Sequence, residues 1–266
     1  MAMKFTDKIT LNHKQEIPII GFGTAELKGD TAEQSVLEAL KLGYRLIDTS
    51  PNYENETSVG KAIQEALDNY LSREDLYIVT KIEPEDMSFK GVKKSLLASL
   101  DRMKLGYVDL LIIHTPSDND ATNLETWRGL EKVYGTGKTK AIGVSNFGVE
   151  QLEFLIENSE IKPAINQIEM RPGKLNNDIV KTCKDHGVYI MSYSPIKELD
   201  QKSKNELNQL SDKYEKSPEQ IVLRWAINKN TIPIPRSQNK EHIEENSNIF
   251  DFSLAANEIQ LIDEMK

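Results

Sequence analysis

Apolar positions along this chain fall into two alternating patterns. Short, predominantly apolar runs occur at Tyr44 to Ile47, Leu76 to Lys81, Val108 to His114 and Ala141 to Ser145. They recur at Ala164 to Glu169, Tyr189 to Tyr193 and Thr231 to Ile234. Runs this short and this uniformly apolar predict strands buried on both faces. Between them the apolar residues recur at helical spacing, over Thr31 to Leu42, Asn55 to Leu67, Gly91 to Met103 and Leu124 to Tyr134. The same spacing continues in Val149 to Glu157, Ile179 to Asp185, Asn205 to Tyr214 and Pro218 to Asn228. A short helix over Lys240 to Asn246 and a tail with Ile259 to Ile262 follow. Ahead of all these, Ile9 to Leu11 and Ile17 to Ile20, around a polar turn at Asn12 to Gln15, predict a β-hairpin. Its second arm runs on into the glycine-lined strand end Gly21-Phe22-Gly23-Thr24.

Eight strands separated by helices imply a parallel sheet. Eight such units in about 250 residues is the size of a closed (β/α)8 TIM barrel. An open doubly wound sheet normally carries a phosphate-binding glycine fingerprint. Here Gly21-Phe22-Gly23 is followed by Thr24-Ala25-Glu26, so the third glycine is missing. No linker, low-complexity segment or internal repeat divides the chain. The prediction is one α/β barrel domain over residues 1–266 with an N-terminal hairpin.

Composition narrows the function. Charged residues at 28% and hydrophobic residues at 38% of the 266 are those of an ordinary globular protein. A net charge of -9 argues against a nucleic-acid or acidic-membrane surface, and no apolar run approaches the roughly 20 residues of a membrane span. The N-terminus has no apolar signal core, so a cytoplasmic protein is expected; a small-molecule carbonyl is its expected partner, and a monomer or weak dimer its expected state. A single cysteine, Cys183, excludes an intrachain disulfide and a multi-cysteine metal site.

In a closed barrel the C-terminal strand ends share one rim, where loops carry the chemistry. The second strand delivers Asp48 and, on the loop beyond it, Tyr53; Asn55 stands as N-cap of the next helix. The third strand ends in Lys81 and the fourth in His114. Singly, each has an ordinary structural reading, because strand ends are often solvated and lone histidines are often satisfied. Three neighbouring strands ending in complementary titratable groups are a different matter. A phenol donates a proton poorly at neutral pH, a nearby ammonium stabilises its phenolate, and a carboxylate keeps that ammonium charged. Tyr53 then serves as a general acid for a forming alkoxide, while neutral His114 hydrogen-bonds the substrate oxygen. The set holds no good covalent nucleophile and makes a poor metal site. It suits carbonyl reduction with hydride from a cofactor.

These segments resemble the aldo-keto reductase family over Ile17 to Asn246. The strand-tip aspartate and tyrosine lie in Asp48 to Glu56, the lysine in Ile78-Val79-Thr80-Lys81, and the histidine in Leu111 to Pro116. Gly143-Val144-Ser145-Asn146-Phe147 and Asn166-Gln167-Ile168-Glu169 match the segments whose Ser145, Asn146 and Gln167 would hold a nicotinamide carboxamide. Tyr193-Ser194-Pro195 matches the tyrosine that stacks on that ring. Ile234-Pro235-Arg236-Ser237, followed by Ile243-Glu244-Glu245-Asn246, is similar to the adenosine-phosphate segment, with His242 as a secondary phosphate contact and Lys240 nearby at the start of the helix. Gly23 and Thr24 join this cofactor surface. The resemblance implies an NADPH-dependent reductase of aldehydes and ketones, with NADH as the weaker alternative and no metal.

The departures concern the substrate. Ala25 and Thr115 stand where relatives often carry tryptophans, Arg236 replaces a lysine, and His242 replaces an arginine. The connection after His114 and the segment Ile196 to Asp200 are short. An open substrate pocket at Ala25 and Thr115 is therefore expected. Two other readings compete: a cofactor-binding regulatory or redox-sensing barrel with little turnover, and a hydrolase using Asp48 and Glu169 as an acid–base pair.

Overall fold

The computed structural model describes residues 3–195 and 200–265. Among these, strands β1 (Lys8–Thr10) and β2 (Glu16–Pro18) form the antiparallel hairpin, Ile9 facing Ile17. The eight strands that follow are β3 (Phe22–Gly23), β4 (Leu46–Asp48), β5 (Tyr77–Ile82), β6 (Val108–Ile113), β7 (Thr139–Ser145), β8 (Ile165–Glu169), β9 (Tyr189–Tyr193) and β10 (Thr231–Pro233). They pair in parallel and in chain order. Two backbone bonds join the outer strands: Gly21 N–H donates to Pro233 C=O at 2.9 Å and Gly23 N–H to Pro235 C=O at 3.0 Å. The sheet thereby curls round as a (β/α)8 barrel. Glycine is required at this seam, because a Cβ on Gly23 would stand 2.9 Å from the Ile234 carbonyl oxygen.

The second hairpin arm does not run on into the barrel strand, as the apolar pattern suggested. It stops at Pro18, and Phe22–Gly23 belongs to the other sheet. The hairpin instead closes the floor of the barrel, opposite the strand tips. Asn12 Nδ2 donates to Pro163 C=O at 2.8 Å. His13, expected as an ordinary turn residue, accepts the Ile142 N–H on Nδ1 and bonds Lys162 C=O through Nε2 at 2.8 Å.

The helices are α1 (Gly29–Lys41), α2 (Glu56–Asn69), α3 (Phe89–Met103), α4 (Asp120–Tyr134), α5 (Val149–Asn158), α6 (Asn177–His186), α7 (Gln201–Tyr214), α8 (Pro218–Asn228), α9 (Lys240–Ser247) and α10 (Ala256–Asp263). Several begin before their first apolar residue because a polar side chain caps them there. Asn119 Oδ1 accepts the Ala121 N–H and starts α4 four residues ahead of Leu124. Asn176 and Asp200 do the same for α6 and α7. No helix among the described residues is long and apolar enough to cross a membrane.

Strand parity decides which side chains enter the barrel. Tyr77 and Val79, Leu110 and Ile112, Ala141, Ile165 and Met191 pack together inside. Ile78, Ile82, Leu111, Ile113, Ile142 and Ile190 face outward, where they join the helices in the larger core. The inward row, continued to the strand ends, reaches Asp48, Lys81, His114, Ser145, Gln167 and Tyr193.

Candidate active site

Lys81 lies within β5, one residue before its end, and it is fully buried. Its Nζ donates to Asp48 Oδ1 at 2.7 Å, to the Thr49 carbonyl at 3.0 Å and to Tyr53 Oη at 3.2 Å. An ammonium has three donors, and all three are used. Burial works against its charge, but the Asp48 carboxylate and Tyr53 outweigh that and hold the group above the ordinary lysine value. The second oxygen of Asp48 accepts Gln167 Nε2 at 2.8 Å. With both oxygens committed, Asp48 is badly placed to act as one member of a hydrolytic pair with Glu169, which is itself bonded to Arg171 and Lys174.

Tyr53 ends a 3-10 turn, Pro51–Tyr53, that follows β4. Because Lys81 donates to Oη, the phenol keeps its own proton for a different acceptor, on the cavity side. The expected downward shift of the phenol is not the net result. Burial raises its pKa, Lys81 lowers it, and burial prevails, with Asp48 and Glu83 adding to the rise. The ammonium is visible in the sequence, whereas the water lost on burial depends on the fold. The ring of His114 stands edge-on to Tyr53, with centroids 5.8 Å apart.

Ser145, Asn146 and Gln167 do come together. Ser145 Oγ donates to the Gln167 carbonyl at 2.8 Å, and the Asn146 N–H donates to the same oxygen at 2.9 Å. Asn146 Nδ2 reaches the His114 carbonyl at 3.0 Å, and Tyr193 Oη donates to Asn146 Oδ1 at 2.8 Å. Asn146 adopts φ 62°, the left-handed region that asparagine tolerates. Neither Ser145 nor Asn146 caps α5, whose N-cap is Gly148.

These groups line a cavity of about 350 Å³ that runs from Asp48, Tyr53 and His114 past Asn146 and Tyr193 to Ser194, Pro195 and Arg236. Gly23 and Ala25 also line it. Other expected members lie elsewhere. Thr24 is fully buried, with its hydroxyl on the Asp48 carbonyl, and it serves the loop rather than the cavity. Thr115 is exposed on the loop after β6 and is not among the lining residues. Ser237 closes a turn with the Asn239 N–H, His242 and Glu245 are exposed on α9, and Asn246 is buried beneath them. The two expected anion ligands are already paired: Arg236 with Glu26 at 2.6 Å and Lys240 with Glu38 at 2.9 Å. Ile196 to Leu199, part of the short segment noted above, lie outside the described residues.

The contacts of two residues, Asn55 and Glu83, are not legible in the sequence. Asn55 occupies the N-cap position of α2, but its side chain makes no cap bond. It donates to the Thr24 and Leu27 carbonyls at 2.7 and 2.9 Å and accepts from Thr49 Oγ1, tying the β3 and β4 loops together. Glu83, just past β5, is almost wholly buried and faces His114. It shares the inward parity of Lys81, the one signal that would have flagged it.

A family model described as "Aldo/keto reductase family" matches residues 19–266. The glyoxal reductase of Bacillus subtilis is 37% identical over 264 residues, covering 99% of this chain and 94% of that protein. The crystal structure of a Bombyx mori aldo-keto reductase in complex with NADP superposes with a TM-score of 0.93 at 36% identity, covering 98% of this chain and 93% of that one. An aldo/keto reductase from Brucella melitensis gives 0.92 at 35% identity, with 99% of each chain covered.

Proposed function

The chain belongs to the aldo/keto reductase family and is an NAD(P)H-dependent oxidoreductase, and from that premise we propose that it reduces aldehydes and ketones to alcohols, with NADPH preferred over NADH and Tyr53 as the acid. The observation that carries this reading is the buried Lys81 ammonium, bonded at once to Asp48 and Tyr53.

The donor set fits a nicotinamide nucleotide. Ser145, Asn146 and Gln167 offer the donors and acceptors that a primary amide requires. Tyr193 offers an aromatic face, and Arg236, at the far end of the same cavity, offers a planar fork for a phosphate. When bound, the nicotinamide supplies the hydride that reaches the carbonyl carbon. Tyr53 gives its proton to the carbonyl oxygen, so that carbonyl, hydride and proton sum to the alcohol. Lys81, already on Oη, stabilises the phenolate as it forms, and Asp48 holds the ammonium in place. Solvent reprotonates Tyr53 after product leaves. The raised pKa of Tyr53 keeps the phenol protonated through neutral pH, ready to donate.

Arg236 and Lys240 support NADPH as the preferred nucleotide, each needing to exchange a carboxylate partner for the ligand's phosphate. The test is initial-rate oxidation of NADPH and NADH with a panel of aldehydes, ketones and dicarbonyls. Turnover dependent on the carbonyl is expected. Tight nucleotide binding without turnover on any carbonyl would instead favour the redox-sensing reading.

A further inference from the structure

Beside the Asp48–Tyr53–Lys81 cluster stands a second buried one that the reaction described above does not use. His114 Nδ1 lies 2.7 Å from Glu83 Oε2 and 2.9 Å from Oε1. The Ser50 hydroxyl donates to the same carboxylate, and the Asn52 N–H reaches it at 3.3 Å. Glu83 is 2% exposed. Burial opposes its ionisation, but the hydrogen bonds from His114 and Ser50, the charge of His114 and the Asn52 N–H overcome that and hold the carboxyl below its ordinary range. An ionised carboxylate only accepts, so Nδ1 must carry the proton in this contact. Nε2 has no protein partner among the described residues, and His114 lines the cavity.

Resting on the proposed carbonyl reduction, we propose that Glu83 is the positioning residue for His114, fixing the tautomer so that the ring donates to a carbonyl oxygen only when both nitrogens are protonated. A neutral imidazole has one donor and one acceptor nitrogen. With Nδ1–H committed to Glu83, neutral His114 shows the cavity a lone pair, which repels a carbonyl oxygen and suits an alcohol hydroxyl. The doubly protonated ring shows an N–H on both nitrogens, one to Glu83 and one to the cavity. This replaces the expectation that neutral His114 binds the substrate oxygen. His114 transfers no proton: Tyr53 remains the donor, and His114 orients and polarises the carbonyl.

The charged and titratable groups around the ring come from β4, β5 and β9 and the turns that follow them. Glu83 lies beyond β5, and Tyr53 and Asp48 come from β4 and its turn. Lys81 is on β5, and Tyr193, at the end of β9, is reached through Asn146. The Lys81 cation opposes a second positive charge, and Asp48 already balances it at 2.7 Å. Glu83 is therefore the anion left to His114.

The test has two independent readouts. In protein saturated with NADP+ and carrying 15N-labelled histidine, the His114 signals are assigned by their loss in His114→Gln. At high pH the wild type should show the Nδ1–H tautomer, and Glu83→Ala should shift towards Nε2–H. An Nε2–H tautomer in the wild type overturns the proposal without any variant having to fold. In kinetics, Glu83→Gln should lower kcat/KM for the carbonyl about tenfold, because the ring is no longer held in one orientation and tautomer. NADPH affinity should stay within twofold. A kcat/KM equal to that of the wild type also overturns it. If Tyr53→Phe abolishes reduction while Glu83→Gln changes nothing, this inference alone fails. If the wild type reduces no carbonyl, the functional reading fails, and the tautomer measurement still decides the Glu83 contact.

Discussion

Replacing Tyr53 with phenylalanine removes one oxygen from the centre of the site, and the structure shows how little else should change. Lys81 loses its acceptor at 3.2 Å but keeps Asp48 at 2.7 Å and the Thr49 carbonyl at 3.0 Å, so the ammonium stays paired. One hydrogen bond of three is lost, worth about 0.5–1.5 kcal/mol in stability. Lys81→Met is a poorer probe. It would leave Asp48 buried with Gln167 as its remaining partner, and an uncompensated buried charge costs about 3–5 kcal/mol. Lost activity there would mix chemistry with damage to the fold. For Tyr53→Phe the general acid goes while the carboxamide-complementary groups and Arg236 stay. The expected loss in kcat is about a hundred- to ten-thousand-fold, or roughly 2.7–5.4 kcal/mol of barrier. Single-turnover oxidation of bound NADPH by a simple aldehyde measures this directly, with nucleotide affinity from fluorescence titration as the control. A variant retaining more than a tenth of wild-type turnover would falsify the role given to the phenol.

Three further outcomes follow from particular contacts. Arg236→Ala should lower the preference for NADPH over NADH about tenfold or more, whereas Glu26→Gln, by freeing the guanidinium from an exposed ion pair, should tighten NADPH by no more than about fivefold; equal changes for NADH in titrations would contradict this. Ala25→Trp should fill part of the 350 Å³ cavity, and ~100 Å² of new contact is worth roughly 2.5 kcal/mol, so KM for small aromatic aldehydes should fall more than tenfold while bulky carbonyls suffer. No change in the ranking of substrates would show that Ala25 does not wall the site. His13 has its pKa lowered from 6.5, mainly by burial against the barrel floor, with its bond to Lys162 C=O opposing. A depressed folded value means that its contribution is fully present above pH 6.5 and is lost as pH falls through the folded value. Urea denaturation at pH 7.5 and pH 5 should therefore show a larger acid loss in the wild type than in His13→Gln.

The alternation of apolar runs and helical spacing was enough to count the strands and to infer a parallel sheet, because a strand apolar on both faces must be covered on both, and an intervening helix lets the next strand run parallel. The tips Asp48, Lys81 and His114 were legible for the same reason: a polar group ending an apolar run is a local feature. Helix starts were read late wherever a cap such as Asn119 or Asp200 preceded the first apolar residue. Glu83 went unread because Glu83-Pro84-Glu85-Asp86 looks like a solvated acidic loop, and its burial depends on His114, 31 residues away. Asn55 looked like a cap, and its partners Thr24 and Leu27 sit on another strand's loop.

What the sequence determined by itself was the period of each segment and hence the order of strands and helices, since periodicity is set by neighbours along the chain. What the tertiary structure decided was everything that depends on who is opposite and how much water is left. It set the rise rather than fall of the Tyr53 pKa, the exclusion of Thr24 and Thr115 from the cavity, and the pairing of Arg236 and Lys240 with carboxylates. These are questions of desolvation and long-range contact, which are fixed only when the strands have curled into one barrel.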